Sequence, residues 1–196
     1  MLYVALGDSV AVGWKAPGGL GYVTRLWRAL QRDGARWGLR NLASLGGTTV
    51  SLLRSQVPRA LAAHPDLITV DIGGNDLRRF IRNPGPAIPW ITGNLGRALQ
   101  RLRQSGAPIF VADVYNPYPK GSRLHEYGEH WLAIFNRELG QTVARHGAVL
   151  VPIHRVLAQA DGRVIAPDNL HPNGRGHELI AAAFLKAGVA RLAGQR

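Results

Sequence analysis

The segment Leu2-Tyr3-Val4-Ala5-Leu6-Gly7-Asp8-Ser9 decides the fold, because it joins an apolar run to a short polar turn. Five apolar residues closed by glycine predict a buried strand over 2–6. Ser9 then stands at the carboxyl end of that strand, at the start of a helix. In open parallel sheets, ligands bind at this edge. A serine here can cap the helix or act as a nucleophile, and the segment alone leaves both interpretations open.

The same alternation continues along the chain. Further apolar, strand-like runs occur at 38–42, 67–72, 108–114 and 148–153. Segments with helical periodicity lie at about 22–33, 48–63, 88–104 and 128–146. A last helix is predicted from about Pro172 to Leu192, with the proline in its first turn. This alternation predicts an α/β fold, a three-layer α/β/α sandwich with about five parallel strands. The Val- and Ile-rich runs 67–72 and 148–153 are typical of strands covered on both faces.

Composition limits the class of protein. A chain of 196 residues, 46% hydrophobic and without cysteine, is expected to form one domain over 1–196, with no disulfide or thiolate site. It begins with no signal-like leader and holds no apolar stretch of about 18 residues, so we expect a cytoplasmic protein. Only three of its 24 basic residues are lysines, and the arginines are scattered. The charge of +12 therefore predicts weak attraction to acidic substrates or anionic surfaces, not specific nucleic-acid binding.

Three further segments carry groups that a serine nucleophile needs. Asp168-Asn169-Leu170-His171 places a carboxylate and an imidazole three residues apart. The segments Asn41–Thr49 and Gly73–Asp76 are glycine-containing turns after apolar runs. With Gly7-Asp8-Ser9-Val10, they resemble the four sequence blocks of the SGNH (GDSL) hydrolases, in the same order and at similar separations. The resemblance spans residues 7 to 172, nearly the whole chain.

The resemblance implies the strand order 2-1-3-4-5 and the hydrolysis of carboxylic esters through an acyl-enzyme, with no cofactor and no metal. It implies that Ser9 is the nucleophile, His171 the general base and Asp168 the acid that orients the imidazole. The implied oxyanion donors are the N–H groups of Ser9 and Gly46 and the side-chain amide of Asn75. The substrates it implies are small or medium acyl esters, of one of three kinds: lipid esters, thioesters or acetylated sugars.

Two positions depart from the common blocks of that family. Val10 stands where leucine is frequent, an apolar exchange that leaves the chemistry unchanged. Leu45-Gly46-Gly47 stands where Ser-Gly-Ala is commoner, so a shift of one residue would move the backbone donor to Gly47.

Other interpretations of the same residues remain open at this point. Asp168 can cap a helix beside a surface histidine, and Asn75 can form a turn. A sugar- or lipid-binding module without catalysis would use the same cleft. A flavodoxin-type phosphate or nucleotide binder lacks its glycine-rich loop with lysine. A zinc helix is disfavoured, because His125 and His130 are five residues apart and lie on different helix faces.

Some residues near these blocks have no assigned role in catalysis. Asp71 and Asp113 are expected to be buried carboxylates. Arg78, Arg79 and Arg82 either favour an acidic substrate or form a solvated helix face. Five aromatic residues either line a pocket or pack in the core: Trp14, Trp90, Tyr115, Tyr118 and Trp131. Two proline-containing loops, Asn83–Pro89 and Asn116–Arg123, either carry binding surface or are plain connections.

Overall fold

The computed structural model describes residues 1–31 and 36–192. Five parallel strands form one sheet in the order β2-β1-β3-β4-β5. They are β1 (Leu2–Gly7), β2 (Gly38–Asn41), β3 (Leu67–Asp71), β4 (Ile109–Ala112) and β5 (Val149–Val151). Val4 of β1 lies opposite Arg40 of β2 and Ile68 of β3, which sets the register at the centre of the sheet. The predicted α/β class and the strand order 2-1-3-4-5 are confirmed.

Helices connect the strands in the described part of the chain. They are α1 (Ser9–Val12), α2 (Tyr22–Leu30), α3 (Thr49–Ser51), α4 (Val57–Leu61), α5 (Gly74–Arg79), α6 (Ile88–Leu102), α7 (Arg123–Arg145), α8 (Ile153–Ala158), α9 (Gly174–Phe184) and α10 (Ala190–Leu192). A π-helical stretch, Leu52–Gln56, joins α3 to α4, and another, Leu185–Val189, joins α9 to α10.

The side chains of the strands alternate between two helical layers. Val4 and Leu6 belong to a buried cluster with residues of α4, α6 and α7. Tyr3 and Ala5 point to the other face and pack with residues of α2, α8 and α9. Because successive strand residues face opposite sides, one apolar run fills both cores. This arrangement is the predicted three-layer sandwich.

Helix boundaries differ from the prediction where a local cap decides them. The predicted helix 128–146 begins earlier, at Arg123, because the Ser122 hydroxyl accepts a hydrogen bond from the His125 N–H at 3.1 Å. The last helix begins at Gly174, because Asn173 caps it through the Gly176 N–H. Pro172 therefore precedes the cap, so its prediction as a first-turn residue is wrong.

Two features of the carboxyl-terminal half were not expected. Val149 and Leu150 of β5 are exposed, so the prediction that this strand is covered on both faces is wrong. The reason is its place at the edge of the sheet, where helices shield it incompletely. Helix α8 was not predicted, because it follows β5 after a single proline and its apolar residues continue the apolar run.

The end of the predicted helix 22–33 cannot be compared fully. Helix α2 ends at Leu30, and residues 32 and 33 lie outside the described residues. Across residues 1–31 and 36–192, the structure contains no helix with the length and apolar character needed to span a bilayer.

Candidate active site

The site forms where the carboxyl ends of β1 and β3 meet. Gly7 closes β1 with a φ of 146°, and a Cβ at this position would collide with the carbonyl oxygen of Asp71. Only glycine permits this close approach. The next residue, Asp8, donates its N–H to that same carbonyl at 3.1 Å. The turn after β1 is therefore held directly against the end of β3.

Gln56 holds the other side of Gly7. Its side-chain oxygen accepts the Gly7 N–H at 2.7 Å, and its amide donates to the Gly7 carbonyl at 2.8 Å. Gln56 is fully buried, so these two bonds satisfy backbone groups that water cannot reach. A glutamine within a helical segment carries no local signal of such a contact, so the part played by Gln56 could not be predicted from the sequence.

Asp8, and not Ser9, caps helix α1. The Asp8 carboxylate accepts the Val10 N–H at 2.9 Å, which is the usual bond of a helix N-cap. The Ser9 hydroxyl is consequently available for other contacts. It lies 2.9 Å from Nε2 of His171, a residue 162 positions further along the chain. As the first residue of α1, Ser9 also has a backbone N–H without an acceptor inside the helix.

His171 is held by Asp168. Its Nδ1 lies 2.8 Å from one oxygen of Asp168, and the other oxygen accepts the backbone N–H groups of Leu170 and His171, at 3.1 and 3.0 Å. Burial acts to raise the pKa of Asp168, but the N–H groups of His171 and Leu170 lower it to about 2. The carboxylate is therefore ionised at neutral pH and can accept a hydrogen from Nδ1, while Nε2 faces the Ser9 hydroxyl.

Asn75 reaches the same place from the start of α5. Its amide nitrogen donates to the Gly47 carbonyl at 3.0 Å and, more weakly, to the Asp8 carboxylate at 3.3 Å. Gly47 is buried against Gly7 and Asp8, whereas Gly46 is exposed with a φ of 69°. The structure thus brings Ser9, His171, Asp168 and Asn75 together. Gly46 lies one residue from the carbonyl that Asn75 contacts.

Two buried carboxyl groups lie beneath this assembly, as expected for Asp71. Burial raises the pKa of Asp8 to about 7, although the Val10 N–H opposes the shift. Burial and the neighbouring Asp8 raise the pKa of Asp71 well above its ordinary value. One oxygen of Asp71 is buried without a hydrogen-bond partner among the described residues. The pair therefore favours retention of a proton near neutral pH.

A cavity of about 130 Å³ opens beside Ser9 and His171. Its walls are largely apolar and include Leu77, Ile81, Pro84, Val114, Tyr115, Tyr118, Tyr127, Trp131 and Leu132. This volume is several times the roughly 30 Å³ of one liquid water molecule, so an organic group fits. Tyr115, Tyr118 and Trp131 are thus pocket residues, as one interpretation held, whereas Trp14 and Trp90 are exposed and do not line the cavity.

The loop after β4 forms one wall of this cavity. Asn116 donates to Glu129 at 2.8 Å and to the His125 carbonyl at 3.0 Å, which ties the loop to α7. The Tyr115 hydroxyl donates to the Leu170 carbonyl at 2.7 Å, next to His171. The start of the predicted loop, Asn116 to Tyr118, therefore lines the cavity. Within the described residues, no group of three or more His, Cys, Asp or Glu side chains is arranged to hold a metal ion.

Comparison with known proteins identifies the family and the fold of the chain. The GDSL-like Lipase/Acylhydrolase family model matches residues 5–179. The uncharacterized protein YpmR of Bacillus subtilis is 25% identical over 95% of this chain and 81% of its own length. Two solved structures share the fold. TesA has a TM-score of 0.78 and 23% identity, over 95% of this chain and 97% of its own length. The lipase Lip_vut3 from a goat rumen metagenome has a TM-score of 0.82 and 24% identity, over 98% of this chain and 99% of its own length. A mutant of the acetyl-xylooligosaccharide esterase Axe2 of Geobacillus has a TM-score of 0.77 and 20% identity, over 95% of this chain and 94% of its own length.

The match over most of the chain confirms the resemblance inferred from the four sequence blocks, and the family accounts for a strand order that periodicity alone could not supply. The chain belongs to the GDSL-like lipase/acylhydrolase family and, with it, to the carboxylic ester hydrolases.

Proposed function

We propose that this protein is a serine esterase that works through an acyl-enzyme, with Ser9 as nucleophile, His171 as general base and Asp168 as the orienting acid. The observation that carries the proposal is the continuous hydrogen-bond chain from Asp168 through His171 to the Ser9 hydroxyl, with contacts of 2.8 and 2.9 Å. A serine that only capped its helix would not need such a base, and Asp8 already performs the capping.

The reaction proceeds in two halves. Ser9 Oγ bonds to the acyl carbon while its proton passes to Nε2 of His171. The carbon–oxygen bond to the leaving alcohol then breaks, and His171 returns the proton to that alcohol. Water attacks the acyl-enzyme next, with His171 again taking and returning a proton, and the acid product leaves as Ser9 is restored. Asp168 stabilises the imidazolium in both halves and is not itself protonated.

The negative charge that develops on the acyl oxygen needs donors aimed at it in advance. We assign this role to the N–H groups of Ser9 and Gly46 and to the side-chain amide of Asn75. The long 3.3 Å contact from Asn75 to Asp8 supports its part, because a weak bond costs little to exchange for an oxyanion. Gly46 is included on the family resemblance, because the N–H of the alternative donor, Gly47, already bonds to the Ser44 carbonyl at 3.0 Å.

The apolar cavity supports small or medium acyl groups as the acid portion of the substrate. Lipid esters, thioesters and acetylated sugars remain the classes to test. Lip_vut3 is described as a lipase and Axe2 as an acetyl-xylooligosaccharide esterase, so two of these classes occur among proteins of this fold.

The decisive test is Ser9→Ala on an aryl acetate. We expect turnover to fall by roughly 10⁴–10⁶ with the fold intact, because the nucleophile is lost while the binding groups remain. Circular dichroism and unfolding midpoint check the fold. Wild-type turnover in the variant would disprove the assignment.

A fluorophosphonate probe separates an enzyme from a binding module on the same fold. Only a serine activated by a base reacts at an appreciable rate, so the wild type should be labelled and Ser9→Ala should not. A folded wild-type protein that is not labelled would favour the non-catalytic sugar- or lipid-binding interpretation.

A further inference from the structure

Four large apolar side chains stand exposed together at the mouth of the cavity. Phe80, Ile81, Trp90 and Tyr127, here called the mouth patch, are 42, 37, 47 and 39% exposed. The rings of Phe80 and Trp90 meet edge to face at 6.2 Å, and the Tyr127 hydroxyl donates to the Ile81 carbonyl at 2.7 Å. Single exposed apolar residues need no explanation, but a contiguous group of them marks an interaction surface.

The mouth patch is continuous with the active-site cavity. Ile81 and Tyr127 line the cavity from inside while part of each side chain remains exposed. Tyr127 packs against Trp131, which also lines the cavity, with ring centroids 6.4 Å apart. An apolar path therefore runs from the exposed parts of Ile81 and Tyr127 through the cavity to Ser9.

Positive charge flanks the mouth patch. Arg78 and Arg82 are exposed, and Arg78 also lines the cavity. Among the described residues, neither guanidinium forms an ion pair with a carboxylate. The segment from Arg78 to Trp90 contains three arginines and no acidic residue, in a chain whose net charge is +12. The complementary surface should therefore be both apolar and negatively charged.

We propose that the mouth patch docks on an anionic lipid surface, with its aromatic rings in the headgroup layer and with Arg78 and Arg82 against the lipid phosphates. Trp and Tyr rings are favoured at the boundary between hydrocarbon and water. Each basic residue near an anionic leaflet adds roughly fivefold to binding. Docking would place the mouth of the cavity on the lipid, so that an acyl chain could reach Ser9 without crossing water. Only that last benefit rests on the proposed esterase function.

Vesicle sedimentation tests the docking without catalysis. The full chain carrying Ser9→Ala is mixed with vesicles of equal parts phosphatidylglycerol and phosphatidylcholine, or of phosphatidylcholine alone. We expect binding to the anionic vesicles to be at least about tenfold tighter, and to weaken in about 1 M salt, where the screening length falls to about 3 Å. Equal binding to both vesicles, or none to either, overturns the proposal.

Matched variants in the same Ser9→Ala background locate the surface. Trp90→Ala should weaken binding to the anionic vesicles by about tenfold through lost apolar burial. Trp14→Ala removes a tryptophan that is 45% exposed and does not line the cavity, and it should leave binding unchanged. Arg78→Glu with Arg82→Glu should weaken binding by at least about 25-fold. Arg54→Glu with Arg59→Glu, the same charge change on exposed residues near α4, should weaken it much less.

Three results would contradict this assignment. Equal effects of the two tryptophan variants, or of the two charge reversals, would show that binding is not localised at the mouth patch. A concentration-dependent dimer abolished by Trp90→Ala would show that a second copy of the chain covers the patch. In an otherwise wild-type chain, Trp90→Ala should retain turnover of a water-soluble aryl acetate, so loss of docking stays distinguishable from loss of the esterase.

Discussion

The side-chain amide of Asn75 is engaged on both sides in the structure, at 3.0 Å with the Gly47 carbonyl and at 3.3 Å with the Asp8 carboxylate. Both bonds leave from the same amide nitrogen, and in the role that we propose for Asn75 the longer, weaker bond is the one exchanged for a substrate oxygen. A turn-forming asparagine would contact its own backbone, and this one contacts two remote segments. These contacts support our proposal that the Asn75 side chain is an oxyanion donor.

Asn75→Ala should lower kcat for an aryl acetate by roughly 10²–10³ and leave KM nearly unchanged, because an oxyanion forms only in the transition state. Asn83→Ala, a change at an exposed asparagine, serves as control and should have no effect. A loss confined to KM would show that Asn75 binds the substrate equally well in the ground state and the transition state, which contradicts the assigned role.

At the scale of secondary structure, side chains that are distant in sequence satisfy backbone N–H groups that local residues leave without a partner. Helix α8 has no side-chain cap of its own, and the Asp113 carboxylate at the end of β4 accepts the His154 N–H at 2.7 Å. Burial raises the pKa of Asp113 to about 6, although the His154 N–H opposes the shift. The buried carboxylate expected at Asp113 therefore has a definite structural partner.

Gln56 performs a similar task for the turn that presents Ser9. Gln56→Ala would leave the Gly7 N–H buried without its partner, at about 1–3 kcal/mol, whereas the Gly7 carbonyl would keep the Ser44 N–H at 3.2 Å. We expect the free energy of unfolding to fall by roughly 1–3 kcal/mol in urea titrations. Gln100→Ala, at an exposed position of α6, should change it by less than about 0.5 kcal/mol. A similarly small effect of Gln56→Ala would show that water reaches Gly7.

For the whole molecule, the buried carboxyl groups make stability depend on pH. Because the pKa of Asp8 and that of Asp71 are raised on folding, the folded protein keeps protons that the unfolded chain has released. Their contribution to the free energy of unfolding therefore falls as pH rises from about 4 to 7. Burial lowers the pKa of His177 to about 4. The unfolded chain therefore binds a proton that the folded protein does not, and the free energy of unfolding falls as pH drops from about 6.5 to 4.

Asp71→Asn isolates the carboxyl contribution from that of His177. Each proton retained by the fold changes stability by about 1.4 kcal/mol per pH unit. The variant should therefore gain stability on the wild type between pH 5 and pH 7, by at most about 1.4 kcal/mol per pH unit, measured by denaturant unfolding at both values. Asp161→Asn, at an exposed position, is the control. A variant that keeps the wild-type pH dependence would show that Asp71 ionises as freely when folded as when unfolded.

We propose, as the sequence analysis expected, that residues 1–196 form one hydrolase domain. The family match covers residues 5–179, and the two halves of the proposed catalytic apparatus come from opposite ends of the chain. Because β1 is central in the sheet, its carboxyl end is reached by loops from both sides. This is the usual advantage of an open parallel sheet for building a site.

Local sequence was enough for the five strands and for the residue types of the site, since apolar runs and glycine turns act within a few residues. It was insufficient for the start of α7, where Ser122 supplies the cap, and for β5, whose exposure depends on its neighbours. It also could not separate Trp131, which lines the cavity, from Trp14, which does not, because the same ring suits either environment.

By itself, then, the amino-acid sequence determined that strands and helices alternate and that a serine, an imidazole, a carboxylate and an amide follow strand-like runs. Tertiary structure alone decided that Ser9 and His171 meet across 162 residues, that Asp8 relieves Ser9 of the capping role, and that Gln56 holds the turn between them and the sheet. The physical reason is range. Secondary structure follows from neighbours along the chain, whereas a hydrogen bond between distant residues exists only after the sheet has brought them together.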